Sequence, residues 1–260
     1  MFKSKNKNEL KKLTDTLTTY LNCPCRYFPP ASDDSNLMSA YHEARERGKK
    51  EGFTPMIVTI DDTLLECLVM NSDSGSKSFD ADPKSVEKYR KEMLSAELPD
   101  GKAVFEQYTE NLSEYMENTV KYFDEEIGEM DEIEVNDSFS GYWDFCTNKT
   151  YPLILAEIPV KNPWEVFAYL PFGGWNECPD TKEQMAAAKY WYELYGAVPA
   201  VLTHDVLEYE LPKPVGEENA LELAKEQYLF CADIVDQCVE TIGALAYMLK
   251  MSTVWYFWWD

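Results

Sequence analysis

His204 and Asp205 stand side by side with Glu208 three residues on, forming the one histidine–carboxylate cluster in the C-terminal half of the chain. An imidazole on a turn beside a carboxylate has the make-up of a general base. Thr203 and Asp205 are also ordinary turn formers, so the same residues read equally well as a capped turn. A second group lies upstream in Gly173-Gly174-Trp175-Asn176-Glu177-Cys178. Cys178 precedes a helix start, a setting that lowers a thiol pKa. Glu177, Asp180 and Glu183 oppose a thiolate there, so a buried structural thiol is expected. The glycine pair leads towards a helix N-terminus, which attracts phosphate only with basic help. Lys182 is the nearest base and acids crowd the anion position, so the glycines are read as a tight turn that lets Trp175 pack. Trp175, Asn176 and Glu177 put an aromatic ring, an amide and a carboxylate on a stiff loop, good material for a protein or small-ligand contact. A core tryptophan with a turn-capping asparagine is the alternative.

Metal and cofactor chemistry find little support. The chain has two histidines, and His42 reads as a surface residue on a helix. Cys23-Pro-Cys25 is too tight for an ordinary tetrahedral pair and has no second pair at zinc-finger spacing. Acidic pairs such as Asp61-Asp62 and Glu217-Glu218 lack the spacing of a calcium loop. No metal and no cofactor are expected.

The elements that must position these residues follow from periodicity. Leucines 10, 13, 17 and 21 predict a helix over 8–22, and Leu37, Ala40, Tyr41 and Ala44 another over 37–47 with Gly48 as its terminator. Phe53 to Ile60 predicts a buried strand, after which Asp61 or Asp62 caps a short helix. The loop 71–78 is the clearest boundary, with helices following at 83–96 and 103–126. The run 124–134 is mostly acidic and opposes the dipole of the helix before it. Aromatic residues 139–145, Tyr151–Val160 and Trp164–Leu170 predict strands, the last two as a hairpin. Asp180-Thr-Lys-Glu183 is a capping box opening a helix that Gly196 closes. Strands at 198–202 and 206–211 precede helices at 217–230 and 238–250. The closing Val254-Trp-Tyr-Phe-Trp-Trp-Asp260 is apolar on both faces, which predicts a strand in the sheet interior. Trimming the last six residues is expected to collapse that half, since each aromatic buries roughly 150–250 Å².

The 260 residues carry 47 acids against 24 bases, a formal net charge of −23. Such a field repels phosphates and anionic lipid and draws in a basic partner, so nucleic-acid and membrane binding are disfavoured. Seven cysteines without a secretory leader point to reduced thiols in a cytoplasmic setting. No apolar run approaches the roughly 18 residues of a membrane span.

Leu170-Pro-Phe-Gly-Gly-Trp-Asn-Glu-Cys-Pro179, Tyr190-Trp191, Tyr195-Gly-Ala197, Glu226-Gln-Tyr228, Cys231–Gln237 and Val254–Asp260 occur in that order. Together they resemble the Domain of Unknown Function 4253 family over about residues 150–260. Ala44–Pro55, with Leu64-Leu65-Glu66 after it, resembles the leader region of bacterial members. The resemblance implies no activity and assigns no residue a role.

The expected fold is α/β, with α+β as the alternative: a mixed sheet with helices packed on it. Three regions are expected: an N-terminal α/β segment (1–78), a helical acidic connection (79–138) and a C-terminal α/β domain (139–260). The expected function is a non-enzymatic acidic protein-binding module, immunity-like, that engages a basic protein through Trp175, Asn176 and Glu177. The alternative is a small hydrolase or transferase built on His204, Asp205, Glu208 and the Gly173–Cys178 loop.

Overall fold

A computed structural model describes residues 6–73, 81–115, 128 and 135–260, the side chains of 111–115 excepted. The acidic run 124–134 apart from Gly128, most of the loop 71–78 and the end of the helix expected over 103–126 lie outside the described residues. The fold is α/β. Its main sheet is mixed and six-stranded, in the order β1-β5-β2-β6-β7-β8, where β1 is Cys25–Phe28, β2 Thr54–Thr59, β5 Leu153–Ile158, β6 Val198–Leu202, β7 Val206–Glu210 and β8 Val254–Trp258. A short ribbon pairs β3 (Trp143–Asp144) with β4 (Lys149–Thr150). The chain forms two compact units, one from 1–96, 140–173 and 200–204, the other from 97–139, 174–199 and 205–260.

In the first unit β5 lies antiparallel to both β1 and β2, with Cys25 opposite Ala156 and Thr54 opposite Ile158. β2 runs parallel to β6 through Ile57–Val201 and Val58–Leu202. All six residues of β2 are buried, as its unbroken apolar and β-branched run requires of a strand covered on both faces. Helix α1 (Lys7–Leu21) opens on a capping box in which Asn6 accepts from the Asn8 and Glu9 amides while Glu9 reaches back. Helix α2 (Ser35–Glu51) does not end at Gly48. It continues to Glu51, and Gly52, at φ 84°, takes the left-handed cap. Gly48 is small for another reason, because the Phe53 carbonyl lies 2.3 Å from where a Cβ would stand. Helix α3 (Asp62–Ser72) is capped by Asp61, whose Oδ1 accepts the Thr63 amide at 3.1 Å. Helix α4 (Pro83–Ser95) starts on Asp82 with proline in its first turn, where the missing N–H costs nothing.

The expected strand at 164–170 is absent. Pro163–Ala168 is a 3-10 helix, so no hairpin forms with β5. The short apolar run cannot choose between strand and helix by periodicity. Proline at its first position favours a helical turn, and both hydrogen-bonding edges of β5 are already taken by β1 and β2. Of the aromatic stretch 139–145, only Trp143–Asp144 is strand.

The second unit holds α5 (Gly101–Tyr115), α6 (Thr181–Tyr195), α7 (Glu217–Phe230), a π-helical turn (Ile234–Val239) and α8 (Ile242–Met251). Asp180 and Glu183 make the capping box expected of α6, and Gly196, at φ 72°, closes it. Strand β8 pairs antiparallel with β7, Val206 opposite Trp258 and Glu210 opposite Val254. It therefore ends the sheet rather than lying in its interior. Trp255 and Phe257 are buried on one face, whereas Tyr256 and Trp258 on the other are half-buried. The outer edge is capped: the Val254 amide donates to Asn136 O at 3.0 Å, and the Cys231 thiol donates to Trp258 O at 3.0 Å. Capping an edge in this way blocks sheet extension by another chain. At the centre of this unit Trp191, fully buried, stacks on Phe257 and Phe105 and meets the edges of Trp255, Phe230 and Tyr209.

Candidate functional site

The 170–179 loop is held from both ends. Asn71 donates to the carbonyls of Pro171 and Gly173, each at 2.7 Å. Beyond Gly174 (φ 82°) the chain closes a turn in which the Cys178 amide donates to Trp175 O at 2.9 Å and the Gly174 amide to Cys178 O at 3.0 Å. Asn176 sits at the turn's apex with φ 47°, a left-handed conformation that asparagine tolerates better than most residues. Its side-chain amide donates to the main-chain oxygen of Asp260 at 2.5 Å. The Asp260 amide in turn donates to Asp233 Oδ2 at 3.0 Å, and Gln237 donates to the other Asp233 oxygen at 2.6 Å. Trp175 is half-buried, whereas Asn176 and Glu177 are exposed. Asp236, three residues from Asp233, has its pKa raised by burial and then by the Asp233 charge. The loop thus carries an aromatic ring and an exposed carboxylate on backbone fixed to an acidic neighbourhood.

Cys178 is 4% exposed, and its sulfur accepts from Gln184 Nε2 at 3.6 Å. The anion position at the α6 N-terminus is filled by Asp180, whose carboxylate accepts the Lys182 and Glu183 amides at 2.8 and 3.0 Å.

The histidine cluster divides. His204 Nδ1 lies 2.8 Å from Asp61 Oδ2, a buried carboxylate that follows β2, while His204 itself follows β6. Because β2 and β6 are parallel, both residues emerge at the carboxyl ends of neighbouring strands. Open α/β sheets bind ligands outside those ends. Asp205 instead accepts the Trp258 indole N–H at 3.3 Å and, through its carbonyl, the Trp259 amide at 3.1 Å. Glu208 is fully buried in β7 and stands opposite Tyr256. Burial raises the Tyr256 pKa, and the Glu208 charge adds to the effect. The residues grouped by sequence proximity therefore hold different partners. Asp61 was legible only as a helix cap, and its second role depends on strand order.

Among the described residues no group of three or more His, Cys, Asp or Glu side chains is placed to hold a metal ion. The Cys23 and Cys25 sulfurs are 4.0 Å apart. No helix of the described residues is long and apolar enough to cross a membrane.

Residues 154–260 match the family model described as Domain of unknown function (DUF4253), which covers the loop, the capping box, His204 and the aromatic strand. No curated protein and no solved structure matches the chain.

Proposed function

We propose that the chain is a non-enzymatic acidic binding module of the cytoplasm that engages a basic protein partner through Trp175, Asn176 and Glu177, in the way an immunity protein neutralises a toxin. The tie from Asn176 to the Asp260 backbone, itself bonded to Asp233, carries this reading. It ties the loop backbone between Trp175 and Glu177 to the Asp260 main chain before any partner arrives. A loop already ordered loses little conformational freedom on docking, and tryptophan is the residue most often dominant at such contacts. The net charge of −23 would speed encounter with a cationic surface.

The test is a pull-down from native cytoplasm with N-terminally tagged protein, run beside Trp175→Ala. A basic partner should be retained at low salt and fade as salt rises. Loss of the anchor should weaken binding by about 30-fold, the size of a hot-spot truncation near 2 kcal/mol. Retention indifferent to salt and to Trp175→Ala would end the reading.

The Asp61–His204 pair favours a second reading, a small hydrolase or transferase. His204 would act as general base and Asp61 would orient it, taking the part that adjacency suggested for Asp205. Turnover in a panel of activated esters and phosphoesters should fall by about 100-fold or more in His204→Ala. Equal turnover in the two proteins, or none in either, rejects it.

A further inference from the structure

Helices α1 and α4 of the first unit flank a groove of about 740 Å³, within the usual range of small-molecule sites. Arg90 is among its lining residues, yet only 4% exposed. Its Nη2 donates to the Tyr20 carbonyl at 2.6 Å, and its guanidinium lies over the rings of Tyr169 and Tyr20, 4.3 and 5.2 Å from their centroids. No carboxylate of the described residues pairs with it, and its Nε is enclosed without a hydrogen-bond partner. Buried cations are ordinarily paired and fully hydrogen-bonded, because the desolvation cost is otherwise uncompensated. Aromatic faces offset part of that cost. A donor is still left over.

The surrounding charges narrow what the Arg90 guanidinium could meet where it lines the groove. The two acids of the groove are occupied: Asp15 with Lys11 at 2.5 Å, and Glu87 with Lys91 at 3.1 Å. Lys12, also lining the groove, is exposed and has no ion pair among the described residues. Val86 and Pro83 add apolar wall, and the Tyr20 hydroxyl is turned to the Leu68 carbonyl and Ser72. We infer that this groove is a binding site for a small organic monocarboxylate with an apolar body, its carboxylate meeting Arg90 and Lys12. A planar carboxylate suits a guanidinium, which offers it paired donors. Polyphosphates, which carry several charges, are disfavoured more strongly than a monoanion by the overall negative field. The site is independent of the acidic loop.

The probes are 4-phenylbutyrate, indole-3-acetate and octanoate, each titrated into the full chain beside its neutral alcohol and followed by amide ¹H–¹⁵N shifts. At least one acid should saturate below about 5 mM, with shifts concentrated on α1 and α4, while its alcohol should bind at least about tenfold more weakly. Lys12→Glu, an exposed change at the groove, should weaken the acid by about fivefold or more. Arg90→Met should abolish binding if its circular dichroism matches the parent. Should that variant not fold, the alcohol comparison and Lys12→Glu decide. Failure of all three acids to saturate, equal binding of acid and alcohol, shifts located elsewhere, or indifference to Lys12→Glu would each overturn the inference.

Discussion

Replacing Trp191 with alanine should destabilise the protein by about 3–5 kcal/mol, the range for truncating a large buried aromatic. The upper end is expected. The indole is sandwiched between Phe257 (5.6 Å, 8°) and Phe105 (5.4 Å, 19°) and bounded edgewise by Phe230, Trp255 and Tyr209. These rings also contact one another, so they cannot easily collapse into the space, and a void left behind adds to the lost transfer energy. The indole N–H donates to Glu226 at 3.2 Å, and burial already raises the pKa of that carboxyl. Alanine removes this donor as well. The measurement is the urea midpoint at constant slope. A loss below about 1 kcal/mol would mean that the cluster repacks and does not organise the unit.

Gly48→Ala should be destabilising by about 2 kcal/mol, although helix propensity alone favours alanine at an interior position by about 1 kcal/mol. The added Cβ would stand 2.3 Å from the Phe53 carbonyl oxygen and 3.2 Å from its ring. That carbonyl is backbone at the junction of α2 and β2, and the Phe53 amide already bonds Gly48 O at 3.3 Å. Relief would require moving the turn that sets the entry of β2, the strand between β5 and β6. Overpacking of this kind typically costs about 1–3 kcal/mol and occasionally more. Thermal unfolding decides the sign, and an alanine variant that melts above the parent would refute the steric account.

Local signals carried much of the fold. The capping box at Asp180–Glu183 and the left-handed Gly196 set both ends of α6 without reference to the rest of the chain. The apolar runs of β2, β6 and β7 marked themselves as strands. Pairing was not legible, because it joins residues far apart in sequence. That is why Trp164–Leu170 looked like a strand before the edges of β5 were known to be filled, and why Gly48 looked like a terminator before Phe53 was seen against it. The same limit governed the sites. Asn176 and Glu177 could be singled out by type, but the anchor of Asn176 is the backbone of Asp260, 84 residues away. His204 could be noticed, whereas Asp61 reaches it only through the parallel pairing of β2 with β6. Arg90 gave no signal at all, since an arginine four residues after Val86 on the buried face of a helix reads from sequence as a solvated charge.

The path of the chain limits how it can be cut. Each compact unit is assembled from three separate stretches, so neither can be excised as one continuous piece. The segment matched to the family, 154–260, contains nearly all of β5 but neither β1 nor β2, which come from the first 60 residues. Expressed alone it would present both edges of an apolar strand to solvent, a template for aggregation. In the whole protein those edges close through contacts spanning about a hundred residues, the kind of non-local pairing that slows folding. The N-terminal strands thus supply both pairing partners that the start of the matched segment lacks by itself.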